Sequence, residues 1–171
     1  MELFDILMRR RSIRAYKNKE IPEDVLNKIM EAARLAQSAI NRQPWRFILI
    51  KEPQHKNKIA EFCKGKMWVA DASVIIAAVA VDTGYRMGNG RPASDIDLSI
   101  ALTHISLAAV DQSLGSCWIG SFKYDEAMEY LRIPKENILV SFMTIGYPDE
   151  SPSPKTRKTL DEILYHEFWA E

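Results

Sequence analysis

Apolar positions along this chain fall into two patterns, a helical spacing of three to four residues and short unbroken runs, and the switches between them divide it into elements. Leu3, Phe4, Ile6 and Leu7 predict a short first helix that ends near three consecutive arginines. Val25, Leu26, Ile29, Met30, Ala33 and Ala36 recur at helical spacing. Pro22 suits a first helical turn, and Glu23 with Asp24 suit its positive end, so a second helix is expected from Pro22 to about Gln37. Trp45 to Ile50 is a near-continuous apolar run and predicts a buried strand; Pro53 then opens a helix through Ile59 and Phe62. Ala72 to Val81 is β-branched and apolar on both faces, the pattern of a central strand.

Thr83-Gly84, Gly88-Asn89-Gly90 and Pro92 mark a loop, and Ser94 with Asp97 predicts a capping-box start to the helix that follows. That helix carries Ile96, Ile100, Thr103, Leu107, Val110 and Leu114 on one stripe and Leu98, Leu102, Ile105 and Ala109 on another. A helix apolar on more than one side is expected to be buried, here partly in a subunit interface. Gly115 is the expected stop. Cys117–Ser121 and Ile138–Ile145 predict two further strands around a short helix, Asp125–Leu131. Pro148, Pro152 and Pro154 punctuate an extended segment, Thr159 with Glu162 resembles a second capping box, and the aromatic tail from Tyr165 to Trp169 calls for a partner surface. The whole, 1–171, is expected to be one α+β domain.

Composition narrows the functional classes. Lys+Arg of 23 against Asp+Glu of 23 leaves no net field to attract nucleic acid or an anionic membrane. A nucleic-acid module built on the N-terminal arginines is disfavoured further, because no aromatic motif is interleaved with them. Cys63 and Cys117 form no CxxC or Cys/His cluster, so neither a metal site nor a disulfide framework is expected. No signal-peptide pattern follows Met1, and the longest apolar run, Ala72–Val81, is about half the ~20 residues that span a bilayer. A cytoplasmic protein without membrane contact is expected.

Candidate chemistry lies at the two ends. Arg9-Arg10-Arg11-Ser12-Ile13-Arg14 and Lys155-Thr156-Arg157 are cationic clusters in a chain of zero net charge, and they suggest two halves of one anion site. Arginine pairs bidentately with phosphate oxygens, lysine adds a point charge and Ser12 a hydroxyl. Arg9 is expected to be solvated. Cys117 has no histidine near it in sequence and is expected to be a buried, inert thiol.

Four motifs in order bracket nearly the whole chain: Arg10-Arg11-Ser12-Ile13-Arg14, Ser38 to Phe47, Leu114 to Gly120, and Lys155-Thr156-Arg157. Together they closely resemble the nitroreductase family of flavoenzymes. The resemblance implies a mainly antiparallel sheet flanked by helices, an intertwined homodimer whose sheet is extended by the partner's tail, and flavin mononucleotide (FMN) in the interface. It assigns the phosphate to Arg10, Ser12, Arg14, Lys155 and Arg157, with Arg11 contributing its backbone. It assigns the ring and ribityl chain to Ser38 and Asn41, often from the neighbouring subunit, and to the backbone of Ile119, Gly120 and Ser121. An N–H of Gly120 or Ser121 would face flavin N5, and no catalytic side chain is required.

The implied reaction passes hydride from NADH or NADPH through flavin N5 to a small-molecule acceptor, a nitroaromatic, a quinone or another flavin, with ping-pong turnover. The alternative is a flavin-handling protein without nicotinamide turnover, as in relatives that dehalogenate aromatics or fragment flavin. Three departures from the family pattern stand out. Gln37 replaces a common proline, the Asp82–Ala93 connection is short, and Lys64-Gly65-Lys66 replaces an asparagine near the flavin pyrimidine. The short connection implies an open acceptor site; Tyr85, Arg86 and Met87 either border it or simply pack the loop.

Overall fold

In a computed structural model, which describes residues 2–169, four strands form one antiparallel sheet. They are β1 (Trp45–Ile50), β2 (Val74–Ala80), β3 (Gly115–Ile119) and β4 (Ile138–Gly146), in the order β1-β2-β4-β3. The helices are α1 (Leu3–Arg9), α2 (Glu23–Arg34), α3 (Pro53–Phe62), α4 (Trp68–Asp71), α5 (Ala93–Asp111) and α6 (Tyr124–Tyr130).

The alternation along β2 explains why it is apolar throughout. Val74, Ile76, Ala78 and Ala80 face α2 and α5, while Ile75, Ala77 and Val79 face α3, α4 and α6. Successive side chains of a strand point to opposite faces, so a strand covered on both sides needs no polar position. On β4 the parity switches at a bulge, where Val79 pairs with Leu139 next to the Ala78–Ser141 pair. Met143 and Ile145 therefore lie in the α5 layer and Leu139 in the opposite one. β1 is an edge strand with Arg46 and Leu49 exposed, which corrects the expectation of a fully buried run.

α5 buries Leu98, Leu102, Ile105 and Ala109 against α2 and the sheet. Its other expected stripe stays open, with Ile96 exposed and Ile100, Leu107 and Val110 half-buried. α5 is long and apolar enough to cross a membrane, but one of its faces packs in the core against α2 and the sheet.

Several boundaries move. α2 stops at Arg34, short of Gln37, and β2 is shorter than Ala72–Val81. Pro92, not Ser94, precedes α5, and no side-chain cap forms there. Gly115 is not the end of α5 but the first residue of β3; Ser113, at φ 60°, makes the turn instead. Consequently β3 runs over Gly115–Ile119 rather than Cys117–Ser121. Glu162 does accept the Thr159 backbone N–H, yet only isolated turns follow and no helix forms.

Gly115 and Gly146 are opposite one another across β3 and β4, and their bareness is a packing requirement. A Cβ on Gly115 would lie 2.5 Å from Ile13 Cγ1, and one on Gly146 would lie 2.8 Å from Tyr16 Cδ1. Gly115→Ala should therefore destabilise the protein by about 1–3 kcal/mol through overpacking, read as a lower midpoint in urea. An unchanged midpoint would show that Ile13 yields without cost.

Candidate functional site

The segment after α1 is seated by that glycine slot. Ile13 N–H donates to Ser116 O at 3.0 Å, and Lys17 N–H donates to Tyr147 O at 2.9 Å. Between them the Tyr16 side chain is buried, its hydroxyl 2.7 Å from Ile13 O and 2.8 Å from Thr144 Oγ1. Burial pushes the Tyr16 phenol well above its ordinary range, so it remains a neutral donor. These contacts fix the backbone from 12 to 17 and thereby aim Arg10 and Ser12.

Both residues line a cleft of about 260 Å³ between the N-terminal segment, α5 and β3. Leu7, Leu102, Leu107, Trp118 and Met143 form its apolar wall, and Ser106 and Ser116 add hydroxyls. Arg11 is turned away: its guanidinium donates to Met8 O at 2.7 Å and Arg10 O at 2.9 Å, closing the end of α1. Arg14 is exposed, and its backbone N–H donates to the Glu150 carboxylate. Trp118, 41% exposed on the cleft wall, was not singled out within the Leu114–Gly120 motif; its pairing with Met143, another cleft residue, places it there.

Past β3 the chain opens at Gly120 and Ser121, both exposed. A Cβ on Gly120 would meet nothing nearer than Trp118 Nε1 at 3.9 Å, so its backbone faces free space. The Ile119 side chain, in contrast, is buried in the layer beneath α3 and α6, leaving only its backbone available.

Ser38 and Asn41 do not line this cleft. They sit in a projecting turn, with a short 3₁₀ segment at Ala39–Asn41, where Ile40, Asn41 and Gln43 have φ of 46°, 57° and 52°. Such left-handed conformations cost about 1–3 kcal/mol each in non-glycine residues and concentrate at functional sites. Ser38 Oγ accepts the Gln43 N–H at 2.9 Å, and Asp97 Oδ1 accepts the Ala39 N–H at 3.0 Å. Arg42 ties the turn to the 82–93 connection through an ion pair with Asp82 and a stack over Tyr85, 4.7 Å from its ring centre.

Lys155 and Arg157 lie on an exposed tail and are not among the residues that line this cleft. Folding of one chain therefore brings together Arg10, Ser12 and the β3 end, but not all the predicted residues. Among the described residues no group of three or more His, Cys, Asp or Glu is placed to hold a metal ion.

The model of the Nitroreductase family matches residues 7–75 and 66–147. The chain belongs to the nitroreductase family. It is similar to a protein of Methanothermobacter thermautotrophicus, provisionally named NADH dehydrogenase/NAD(P)H nitroreductase, at 34% identity over 99% of this chain and 88% of that one. Similarity extends to an FMN reductase [NAD(P)H] of Bacillus subtilis, 28% identical over 98% of this chain and 74% of the relative. A crystal structure of a nitroreductase family protein from Clostridium difficile 630 matches with a TM-score of 0.89 at 28% identity, covering 99% of this chain and all of that one.

Both thiols are buried in this nitroreductase-family chain, and burial raises both above the ordinary range, Cys63 from 9.0 to about 11. The folded state thus holds the Cys63 proton where the unfolded state has released it. Stability from this group is full below about pH 9 and is lost as pH rises toward about 11. Urea denaturation should show part of its alkaline decline disappear in Cys63→Ala; identical declines would contradict the assignment.

Proposed function

We propose that this chain is an FMN-dependent NAD(P)H oxidoreductase that works as a homodimer on a small-molecule acceptor. The carrying observation is the cleft in which Arg10 and Ser12 converge beside an apolar wall that ends at the open backbone of Gly120. These residues fit FMN: a cationic and hydroxyl-bearing end for a phosphate, apolar walls for a flat ring, and exposed main chain where a ring must approach closely. When bound, FMN supplies a two-electron carrier that takes hydride from the nicotinamide and hands it on.

The chain's own part is positioning. Arg10, Ser12 and Arg14 donate to phosphate oxygens, the Arg11 backbone contributes beside them, and Lys155 and Arg157 of the tail complete the charge. Trp118, Leu102 and Leu107 exclude water from one side. The backbone N–H of Gly120 or Ser121, following Ile119, is a fixed donor for negative charge developing on the ring. Ser38 and Asn41 serve the cleft of a second copy.

Three observations support that dimer. The cleft of one chain, about 260 Å³, is below the roughly 300–1,000 Å³ of small-molecule sites. The Ile96 stripe of α5 is left open, and the tail exposes Leu160, Ile163, Leu164, Phe168 and Trp169. With one face serving reductant and acceptor in turn, initial velocities should give parallel double-reciprocal lines for a nitroaromatic, a quinone or free flavin. The cytoplasm, with its nicotinamide pools, is the proposed compartment.

Arg14→Ala and Arg157→Ala should each weaken FMN retention about tenfold or more, the loss of one charge-assisted hydrogen bond. Thermal unfolding of the flavin-free variants should change little. The check is the flavin-to-protein absorbance ratio after extensive dialysis; full flavin in both variants would overturn the phosphate placement.

A further inference from the structure

Asp97 is 4% exposed in the first turns of α5, and among the described residues its side chain makes one hydrogen bond. That bond leaves its own helix and goes to the Ala39 N–H, across 58 residues of sequence. Its second oxygen, Oδ2, is buried without a partner, as is the hydroxyl of Ser94 one turn earlier. A buried carboxylate satisfied by a single backbone N–H is a poor choice for stability alone, because desolvation opposes it and an apolar residue would fill the core as well. What the carboxylate does uniquely is hold the base of the 38–43 turn.

The turn needs such a hold. Ile40, Asn41 and Gln43 are all in the left-handed region, and Ile40 and Asn41 are exposed. Ser38 Oγ braces the far side at Gln43, and Asp97 braces the near side at Ala39. Arg42 anchors the turn to Asp82, and Gln43 Nε2 donates to Asn41 Oδ1, but among the described residues only Asp97 bonds the Ala39 N–H, so its loss should let the near side relax toward unstrained backbone.

We propose that Asp97 is the positioning residue of the cofactor-facing turn: it touches no ligand, but it fixes the backbone that presents Ser38 and Asn41 to the flavin of the second copy. This rests on the flavin reading above. Two variants remove the contact from opposite sides. Asp97→Ala deletes the acceptor. Ala39→Pro deletes the donor, and Ser38, extended at φ −147° and ψ 160°, already has the conformation a following proline requires. Asp97→Asn keeps a carbonyl oxygen in the same place.

The experiment measures hydrogen exchange of the turn amides without cofactor, and FMN affinity by titration, on the full-length protein. Asp97→Ala and Ala39→Pro should speed exchange selectively at residues 40–43 and weaken FMN binding about tenfold through lost preorganisation, with Asp97→Asn recovering most of both. A lower melting temperature with unchanged turn exchange and unchanged FMN affinity would overturn the proposal and leave Asp97 a packing residue. Faster turn exchange in a protein whose wild type takes up no FMN would uphold the clamp and sink the flavin reading instead.

Discussion

The close approach of Ile13 and Tyr16 to the paired glycines of β3 and β4 is the constraint on which the rest of the site depends. With any side chain at Gly115, Ile13 could not lie where its N–H meets Ser116 O, and the backbone leading to Ser12 and Arg10 would lift off the sheet. The Tyr16 hydroxyl, held between Ile13 O and Thr144, keeps the segment down from the other side. The Arg10 guanidinium and the Ser12 hydroxyl are thus supported by a rigid base, and a phosphate bound there would order few additional groups.

α5 performs two tasks that pull its sequence in different directions. Leu98, Leu102, Ile105 and Ala109 fill the core, which requires one apolar face. Leu102 and Leu107 also wall the cleft, and the Ile96 side stays open, which spreads the apolar character around the helix. Asp97 is the one charge buried in this helix, and it is spent on a loop. A chain built this way satisfies its core alone and leaves apolar surface open on α5 and the tail, which is the ground for proposing a second copy at the site.

Most of the architecture was legible because the strongest signals are periodic. The unbroken run of β2, the Pro53 start of α3 and the spacing of α2 each reflect burial on known faces, and the expected α+β class follows from their order. The misreadings share a cause: a local motif was taken as local when its partner lies far away in sequence. Ser94 and Asp97 have capping-box spacing, yet Asp97 reaches Ala39. Gly115 sits where a helix stop belongs, yet it is bare for Ile13. Arg10 and Ser12 line a cleft, whereas Lys155 and Arg157, expected to form the other half of the same anion site, do not; Trp118 went unremarked inside the Leu114–Gly120 motif because its exposure depends on β3 lying at the sheet edge. That Ser38 and Asn41 do not line that cleft depends on where a turn falls relative to α5, and only the family resemblance, which often puts this segment in the neighbouring subunit's site, pointed to it.

The most direct test of the central claim is the visible absorption spectrum of the purified protein, reconstituted with FMN and titrated without oxygen with NADH and then NADPH. The account predicts protein-bound flavin bands that bleach with about one equivalent of one or both nicotinamides, since each delivers one two-electron hydride. Flavin bands that persist against both would contradict nicotinamide turnover and favour a flavin-handling protein. A colourless protein that takes up no added FMN would contradict the cofactor site itself.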